Sequence, residues 1–446
     1  MKRFVDTIKN IWAIEELRDK ILLTLGLLFI FRVGSNVVLP GIDHTSLSGL
    51  ESQTESGLLG ILNAFTGGAF ANASILALGI MPYISASIVI QLMAVAVPAI
   101  QKMDKEGESG RKKKNQLTRS LTILITAAQA PGYLANLMAQ GVQLTIPTQL
   151  FWTMGIIVLI AGTIFAMWLG ERITDKGIGN GISLLIMIGI IATLPQSFLQ
   201  ELFSRFESQG GGLVIFIIEL AVLFVVIIAA VALVQAVRQV PVQYAKRVAG
   251  GRIAQGVGSA RDYIPLKVNA AGVMPIIFAQ AIMFIPITVL SYAGGAEGAG
   301  WIITVFSDIA GFWYNLVFAV LIILFTYFYT AIQINTNQMA EDLKRNGGFI
   351  PGIKPGKQTA EFIDTVLSRI TLPGSIFLAI LAILPAFAMQ ANVNMQFAYF
   401  FGGTSLLIMV GVVLDTLQQI ESYLLARHYD GLMKSGRIKG RSTINA

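Results

Sequence analysis

Ala77-Leu78-Gly79-Ile80-Met81-Pro82-Tyr83-Ile84-Ser85-Ala86 recurs 193 residues later as Ala270-Ala271-Gly272-Val273-Met274-Pro275-Ile276-Ile277-Phe278-Ala279, with six of ten positions identical. Each copy lies in an apolar stretch long enough to cross a bilayer, and each carries a proline that a helix interior tolerates only for a reason. Stretches of this kind are read at 20–39, 74–98, 120–139, 150–170, 180–199, 213–236, 268–291, 309–332, 370–389 and 396–416. About 20 apolar residues suffice for a helical span. In lipid the backbone must satisfy its own hydrogen bonds, so all ten are expected to be helices.

Of the 446 residues, 54% are apolar and 13% charged, against roughly 45–50% and about 25% in a soluble domain. That deficit of charge excludes a water-soluble globule, a disordered chain and a simple nucleic-acid binder. There is no cysteine, and His44 and His428 are the only histidines. Disulfides, thiol chemistry and a Cys- or His-based metal site are therefore not expected.

The Lys and Arg residues fall into a strict alternation. They occupy the N-terminus, the gaps after the second, fourth, sixth and eighth spans, and the tail, and the two exceptions are Arg32 and Arg205. By the positive-inside rule, the termini and the even-numbered gaps are cytoplasmic. Span two then runs inward and span seven outward, so the two copies are inverted. The chain divides into halves of five spans, 20–199 and 200–426, with a leader at 1–19 and a basic tail at 427–446. Inverted repeats place the functional site between halves, near the midplane. The charged leader and the lack of an A-x-A-like site argue against a cleavable signal peptide. Phe4, Ile8, Ile11 and Trp12 share one helical face, which predicts an amphipathic helix on the cytoplasmic interface.

Ionisable groups within spans mark transport sites. Here Arg32, Glu219 and Asp415 sit nearer an interface than the centre, and Glu171, Asp364 and Arg369 lie at cytoplasmic ends. No central carboxylate pair, arginine ladder or histidine chain exists, which argues against a proton pump or a voltage sensor. Gly177-x-Gly179-x-Gly181 is too short for a dinucleotide fingerprint and opens a span. With no nucleophile–base pair, neither catalysis nor an intramembrane protease is expected. A passive channel and a secondary transporter with inverted repeats for a small solute both remain. A transporter needs convergent polar groups at the midplane.

Further motifs occur in order along the chain. They are Phe65-Thr66-Gly67-Gly68 ahead of the first repeat copy, Lys105-Glu106-Gly107-Glu108-Ser109-Gly110-Arg111, and Gly177-Ile178-Gly179-Asn180-Gly181-Ile182-Ser183. Leu266-Lys267-Val268-Asn269-Ala270-Ala271-Gly272-Val273, Pro351-Gly352-Ile353-Lys354-Pro355-Gly356 and Phe401-Gly402-Gly403-Thr404-Ser405-Leu406-Leu407-Ile408 follow. Together they resemble the SecY/Sec61-alpha family, the channel subunits of protein translocases. The resemblance implies an all-α polytopic protein of the plasma (inner) membrane, with ten transmembrane helices in two inverted five-helix halves around a central hourglass pore. Such a channel passively conducts unfolded secretory polypeptides and releases transmembrane segments sideways into lipid. It takes its energy from a partner and needs no cofactor.

Site residues follow from the same resemblance. A pore ring is implied at Ile80, Ile84, Ile182, Ile186, Ile277 and Ile408, and the repeat itself pairs Ile84 with Ile277. A narrow aliphatic ring gates by dewetting. A short plug helix is implied over 63–73, comprising Asn63, Ala64, Phe65, Thr66, Gly67, Gly68, Ala69, Phe70, Ala71 and Asn72. Its Gly and Ala content permits close packing and easy displacement; without the family the stretch reads as a loop. Ser87, Gln91 and Asn269 are the implied polar residues of a lateral gate.

The loops 237–267 and 333–369 are longer than connections need. They carry Arg238, Lys246, Arg247, Arg252, Arg261, Lys267, Lys344, Arg345, Lys354, Lys357 and Arg369. By resemblance these cations dock ribosomal RNA phosphates, which attract cations without sequence readout, and the SecA motor ATPase. Lys354 stands where the family usually has Arg, which keeps the charge but loses the bidentate fork. Gly250-Gly251-Arg252 is thinner in cations than in some relatives. The remaining implied partners are SecE and SecG as a heterotrimer, SecDF and YidC, signal sequences and nascent polypeptides, and membrane lipid.

Overall fold

The computed structural model describes residues 12, 14–43, 63, 66–207, 212–244, 262–280, 282–283, 308 and 310–434. Among them, nine long helices and the start of a tenth fall on the ten apolar stretches. These are α1 Glu15–Gly34, α2 Met81–Ala96, α3 Glu108–Ala139, α4 Thr148–Lys176, α5 Gly181–Glu207 and α6 Gly212–Gln235. The series continues with α7 from residue 274, α8 Phe312–Gln333, α9 Lys357–Gln390 and α10 Gly403–Lys434. The segments of α3 to α6 and of α8 to α10 are long and apolar enough to cross a membrane. The leader helix lies outside the described residues except at its end, where Glu15 to Asp19 form the first turns of α1. Two compact units are present, 1–195 with 411–446, and 196–410.

Both repeat copies fold alike. Gly79 has φ +51° and Gly272 φ +64°, and a helix starts two residues later in each, at Met81 and at Met274. Pro82 and Pro275 thus fall in a first turn, where the missing N–H is unpaired in any helix and the fixed φ suits the start. The prolines that look misplaced in the middle of apolar spans are helix starts. The residues ahead of them, 75–80 and 268–273, are turns and not the helix that their apolar character suggests.

In the first unit, the chain after α1 is bonded to the chain before α2. Leu39 N–H donates to Ala73 O at 2.8 Å and Ile75 N–H to Val37 O at 2.8 Å. Leu39, Phe70, Ala77, Tyr133, Leu134 and Phe151 belong to the core beneath. Buried hydroxyls on α3 are absorbed within the helix, with Thr122 donating to Thr118 O at 2.8 Å and Thr126 to Thr122 O at 2.7 Å. Such bonds remove polar groups from lipid without any partner helix. The glycine run 177–181 is an elbow joining α4 to α5: a Cβ on Gly181 would sit 2.0 Å from Gly170 O. Its free N–H groups go to Thr24 Oγ1 (3.1 Å, from Ile178) and Gln419 Oε1 (2.9 Å, from Gly179).

The second unit departs from expectation in its basic loops. They contain an antiparallel sheet of order β2-β1-β3, formed by β1 Val237–Tyr244, β2 Asp262–Lys267 and β3 Gly348–Phe349. A ten-residue helix, Thr336–Arg345, packs beside it. Val240 and Val242 alternate inward and join Leu266, Ile350, Ile363 and Leu367 in a separate small core at the foot of α9. Only two apolar residues of β1 point inward, so the period-2 signal is short and is masked by flanking charge.

Substitutions of the two repeat glycines test the turn. A left-handed backbone costs an L side chain about 1–2 kcal/mol, so Gly79→Ala and Gly272→Ala should each lower unfolding free energy in detergent by that amount. A Cβ at Gly272 meets nothing within 4 Å, so its loss is due to φ alone. Gly272→Asn, which tolerates this region, should lose less when unfolding is followed by tryptophan fluorescence.

Candidate functional site

The plug positions are described at Asn63 and from Thr66 onward; Ala64 and Phe65 lie outside the described residues. Gly67, Gly68 and Ala73 have φ of +65°, +87° and 45°. Asn63 and Thr66 are helical, but left-handed residues cannot propagate a right-handed helix, so residues 67–73 form tight turns where the expected short helix was to continue. The turns cap themselves: Phe70 N–H donates to Thr66 Oγ1 at 3.2 Å and Ala71 N–H to Asn63 Oδ1 at 3.0 Å.

Neighbouring helices grip the segment from outside. Arg32 Nη1 of α1 donates to Gly67 O, and Tyr133 Oη of α3 donates to Phe70 O at 2.9 Å. The Phe70 and Tyr133 rings meet edge to face, with centroids 4.8 Å apart. A Cβ on Gly67 would lie 2.7 Å from Gly189 Cα, so the segment's main chain rests directly on that of α5. Phe70 is 6% exposed, and burying such a ring is worth about 1.5–3 kcal/mol. The segment is seated, more firmly than its Gly and Ala content suggests.

Ile80, Ile84 and Ile186 converge. With Phe31, Thr66, Gly79, Met81 and Leu185 they line a cavity of about 10 Å³, no larger than one water needs. The α2 start at Met81 sets Ile80 just before the helix and Ile84 one turn in; Ile186 arrives from α5. Ile182, a turn earlier on α5, does not line this cavity; its Cγ1 is 3.0 Å from where a Cβ on Gly170 of α4 would be. Ile277, half-buried on α7, and Ile408, buried on α10, belong to the second unit.

The gate residues are also divided. On α2, Gln91 Nε2 donates to Ser87 Oγ at 3.3 Å. In the second unit, Asn269 occupies the turn before α7, is 8% exposed, and its Oδ1 has no hydrogen-bond partner among the described residues. A buried acceptor left open in this way costs free energy that a rearrangement can recover.

The cations expected to dock partners lie, where described, on or near the small sheet domain. Arg238 and Lys267 lie on its strands, Lys344 and Arg345 end the helix Thr336–Arg345, and Lys354, Lys357 and Arg369 flank the start of α9. All are exposed, and none pairs with a carboxylate among the described residues. Lys246, Arg247, Arg252 and Arg261 lie outside the described residues.

The two cations that break the alternation are the residues whose roles the sequence hid. Arg32 contacts Gly67, in the segment expected to be the plug. Arg205 is half-buried between two carboxylates: Nε donates to Glu201 Oε1 at 2.7 Å, and Nη2 to Glu219 Oε1 at 2.6 Å and to Asn392 O at 2.8 Å. Asn394 N–H donates to Glu201 Oε2 at 2.8 Å. That knot ties the end of α5 and the start of α6 to the turn after α9. In sequence, the one available signal was an arginine within or beside an apolar run.

Comparison with known proteins agrees with this architecture. The SecY family model matches residues 74–417. A protein translocase subunit SecY from Bacillus licheniformis is 44% identical over 435 residues, covering 96% of this chain and 99% of its own. A solved SecY, whose plug domain is described as stabilising the closed translocation channel and maintaining a membrane seal, superposes with TM-score 0.63. It is 19% identical over 90% of this chain and 91% of its own. Canine Sec61, solved in a ribosome–channel complex from the endoplasmic reticulum, gives TM-score 0.58 at 19% identity, with coverage of 90% and 91%. These likenesses show the fold, that of ten-helix polytopic channels, and with the full-length identity they establish that the chain belongs to the SecY family of protein translocase subunits.

Proposed function

We propose that the chain is the passive protein-conducting subunit of a translocase, with Ile80, Ile84 and Ile186 in its constriction. The observation that carries this reading is the cavity of about 10 Å³ that these isoleucines close together with Thr66 of the plug. A wall of branched aliphatic groups this tight holds back ions by dewetting and needs no charged filter. The same wall is indifferent to the sequence of a passing polypeptide. A secondary transporter would need convergent polar groups where these isoleucines stand, and that alternative finds no support among the relatives.

Ile182, Ile277 and Ile408 complete the proposed ring. Residues 63–73 are its plug, and Ser87, Gln91 and Asn269 are the polar residues of a lateral gate that passes signal sequences and membrane segments into lipid. Interhelical amide contacts in lipid are worth about 1 kcal/mol, enough to bias closure and small enough to be outcompeted. The cation distribution supports a cytoplasmic position for both termini and for the small sheet domain. There the exposed Arg238, Lys267, Lys344, Arg345, Lys354 and Lys357 would meet a ribosome, as solved canine Sec61 does. A motor ATPase such as SecA, and small membrane subunits such as SecE and SecG, complete the proposed complex in the plasma membrane. No catalytic role is assigned to the chain.

Cross-linking tests the ring directly. Ile84→Cys and Ile277→Cys, each in the otherwise cysteine-free chain, should form disulfides with a secretory polypeptide arrested midway and carrying one Cys. Absence of a link at either position, while Phe224→Cys on the exposed side of α6 reacts freely with a lipid-soluble thiol reagent, would sink the assignment.

Salt titration tests the docking face. Charge reversal of Arg238, Lys354 or Lys357 to Glu should weaken ribosome binding. Each should also lower the slope of log K against log salt by roughly 0.7–0.9, as expected for one lost phosphate contact. Lys354→Arg should strengthen binding where a bidentate phosphate contact is available.

A further inference from the structure

Arg32 and Arg205 are the two cations outside the basic face, and they are neutralised differently. Arg205 has Glu201 and Glu219. Arg32 is half-buried in the last turn of α1 and pairs with no carboxylate among the described residues; its Nη1 reaches the main-chain carbonyl of Gly67, 35 residues along the chain. A cation at a helix C-terminus is favoured by the dipole, and a guanidinium is charged in any protein setting, so a departing plug leaves Arg32 to water.

Three groups meet at one point. A Cβ on Gly67 would lie 2.7 Å from Gly189 Cα and 3.0 Å from Arg32 Nη1, so at this residue the segment lies against both α5 and the guanidinium. A hydrogen bond from a charged donor is roughly twice as strong as a neutral one and is directional, so it is made or broken as a unit. Tyr133 grips the segment at a second point through Phe70 O, but that bond is neutral. Phe31, the residue before Arg32, lines the same cavity as Ile80, Ile84 and Ile186. Thr66 lines it too, so the wall that a passing chain would push is joined through the Thr66–Gly67 peptide to the carbonyl that Arg32 holds.

We propose that Arg32 is the latch of the channel, a positioning residue that holds the plug seated through the Gly67 carbonyl and releases it when the ring widens at Phe31. The inference rests on residues 63–73 being the plug.

The test uses the full chain in its native complex, in proteoliposomes and planar bilayers. Ala71, 4% exposed, is replaced in the cysteine-free chain, so that thiol labelling of A71C reports departure of the segment. Arg32→Gln removes the charge and, ending two bonds short of the arginine Nη atoms, also removes the donor that reaches Gly67 O. It should raise both the labelling rate and the resting ion conductance by about tenfold or more, the change that one lost charge-assisted bond carries. Arg32→Lys should return both to within about threefold of the parent, since it keeps the charge. Deletion of residues 66–72 supplies the unplugged reference. If the deletion conducts while R32Q stays closed and unlabelled, the latch is wrong and the plug stands. If the deletion itself stays closed, the plug reading falls and the latch with it. If R32K behaves like R32Q, charge is not what holds the segment. If R32Q lowers the yield of complex but the assembled fraction labels and conducts like the parent, Arg32 is merely structural and the proposal fails.

Discussion

A peptide group inside a bilayer has no water to bond, and that constraint shapes the irregular segments described between the spanning helices. The turns 67–73 bond to Thr66 and Asn63 within the segment and to Arg32 and Tyr133 outside it. The elbow 177–181 gives its N–H groups to Thr24 and Gln419. Even the buried threonines of α3 and α8 fold their hydroxyls back onto the preceding turn. Irregular backbone survives at membrane depth only where side chains from neighbouring helices replace water, and those side chains then become the handles by which the irregular segment is held.

The same constraint governs charge. Placing a cation in the span region is costly unless it has a partner, and the two exceptions to the basic alternation each have one. Arg205 uses carboxylates and fastens three chain segments together. Arg32 uses a carbonyl, and a carbonyl can be exchanged for water. A buried Arg with one carboxylate removed is left with an uncompensated charge, whereas Arg32 at a helix end has the dipole behind it. One arrangement suits a permanent joint and the other a contact that must open.

A seal that opens needs a closed state that is favoured by only a little. Phe70 in the core and the bond from Tyr133 hold residues 66–73 in place, while the left-handed residues Gly67, Gly68 and Ala73 keep the segment from extending a helix. In the second unit, Asn269 Oδ1 is buried with no hydrogen-bond partner among the described residues, and a polar group held short of its full bonding leaves free energy to be regained by a different arrangement.

The sequence by itself determined the ten apolar stretches, their alternation of basic gaps and the internal repeat, because hydrophobic length and lysine or arginine placement are one-dimensional properties that lipid and membrane insertion read directly. It also determined the family, through motifs such as Gly79-Ile80-Met81-Pro82-Tyr83-Ile84. Where each helix starts was not legible: the apolar residues 75–80 look helical, and only the left-handed φ of Gly79 shows that they turn. The sheet in the basic loops was hidden because two inward valines become a signal only once Leu266 and Ile350 pack against them. Tertiary structure alone decided that Ile186 shares a cavity with Ile80 and Ile84 while Ile182 does not, and that Arg32 reaches Gly67. Those are contacts between segments distant in the chain, set by the packing of α1, α2 and α5, and no spacing within one segment encodes them.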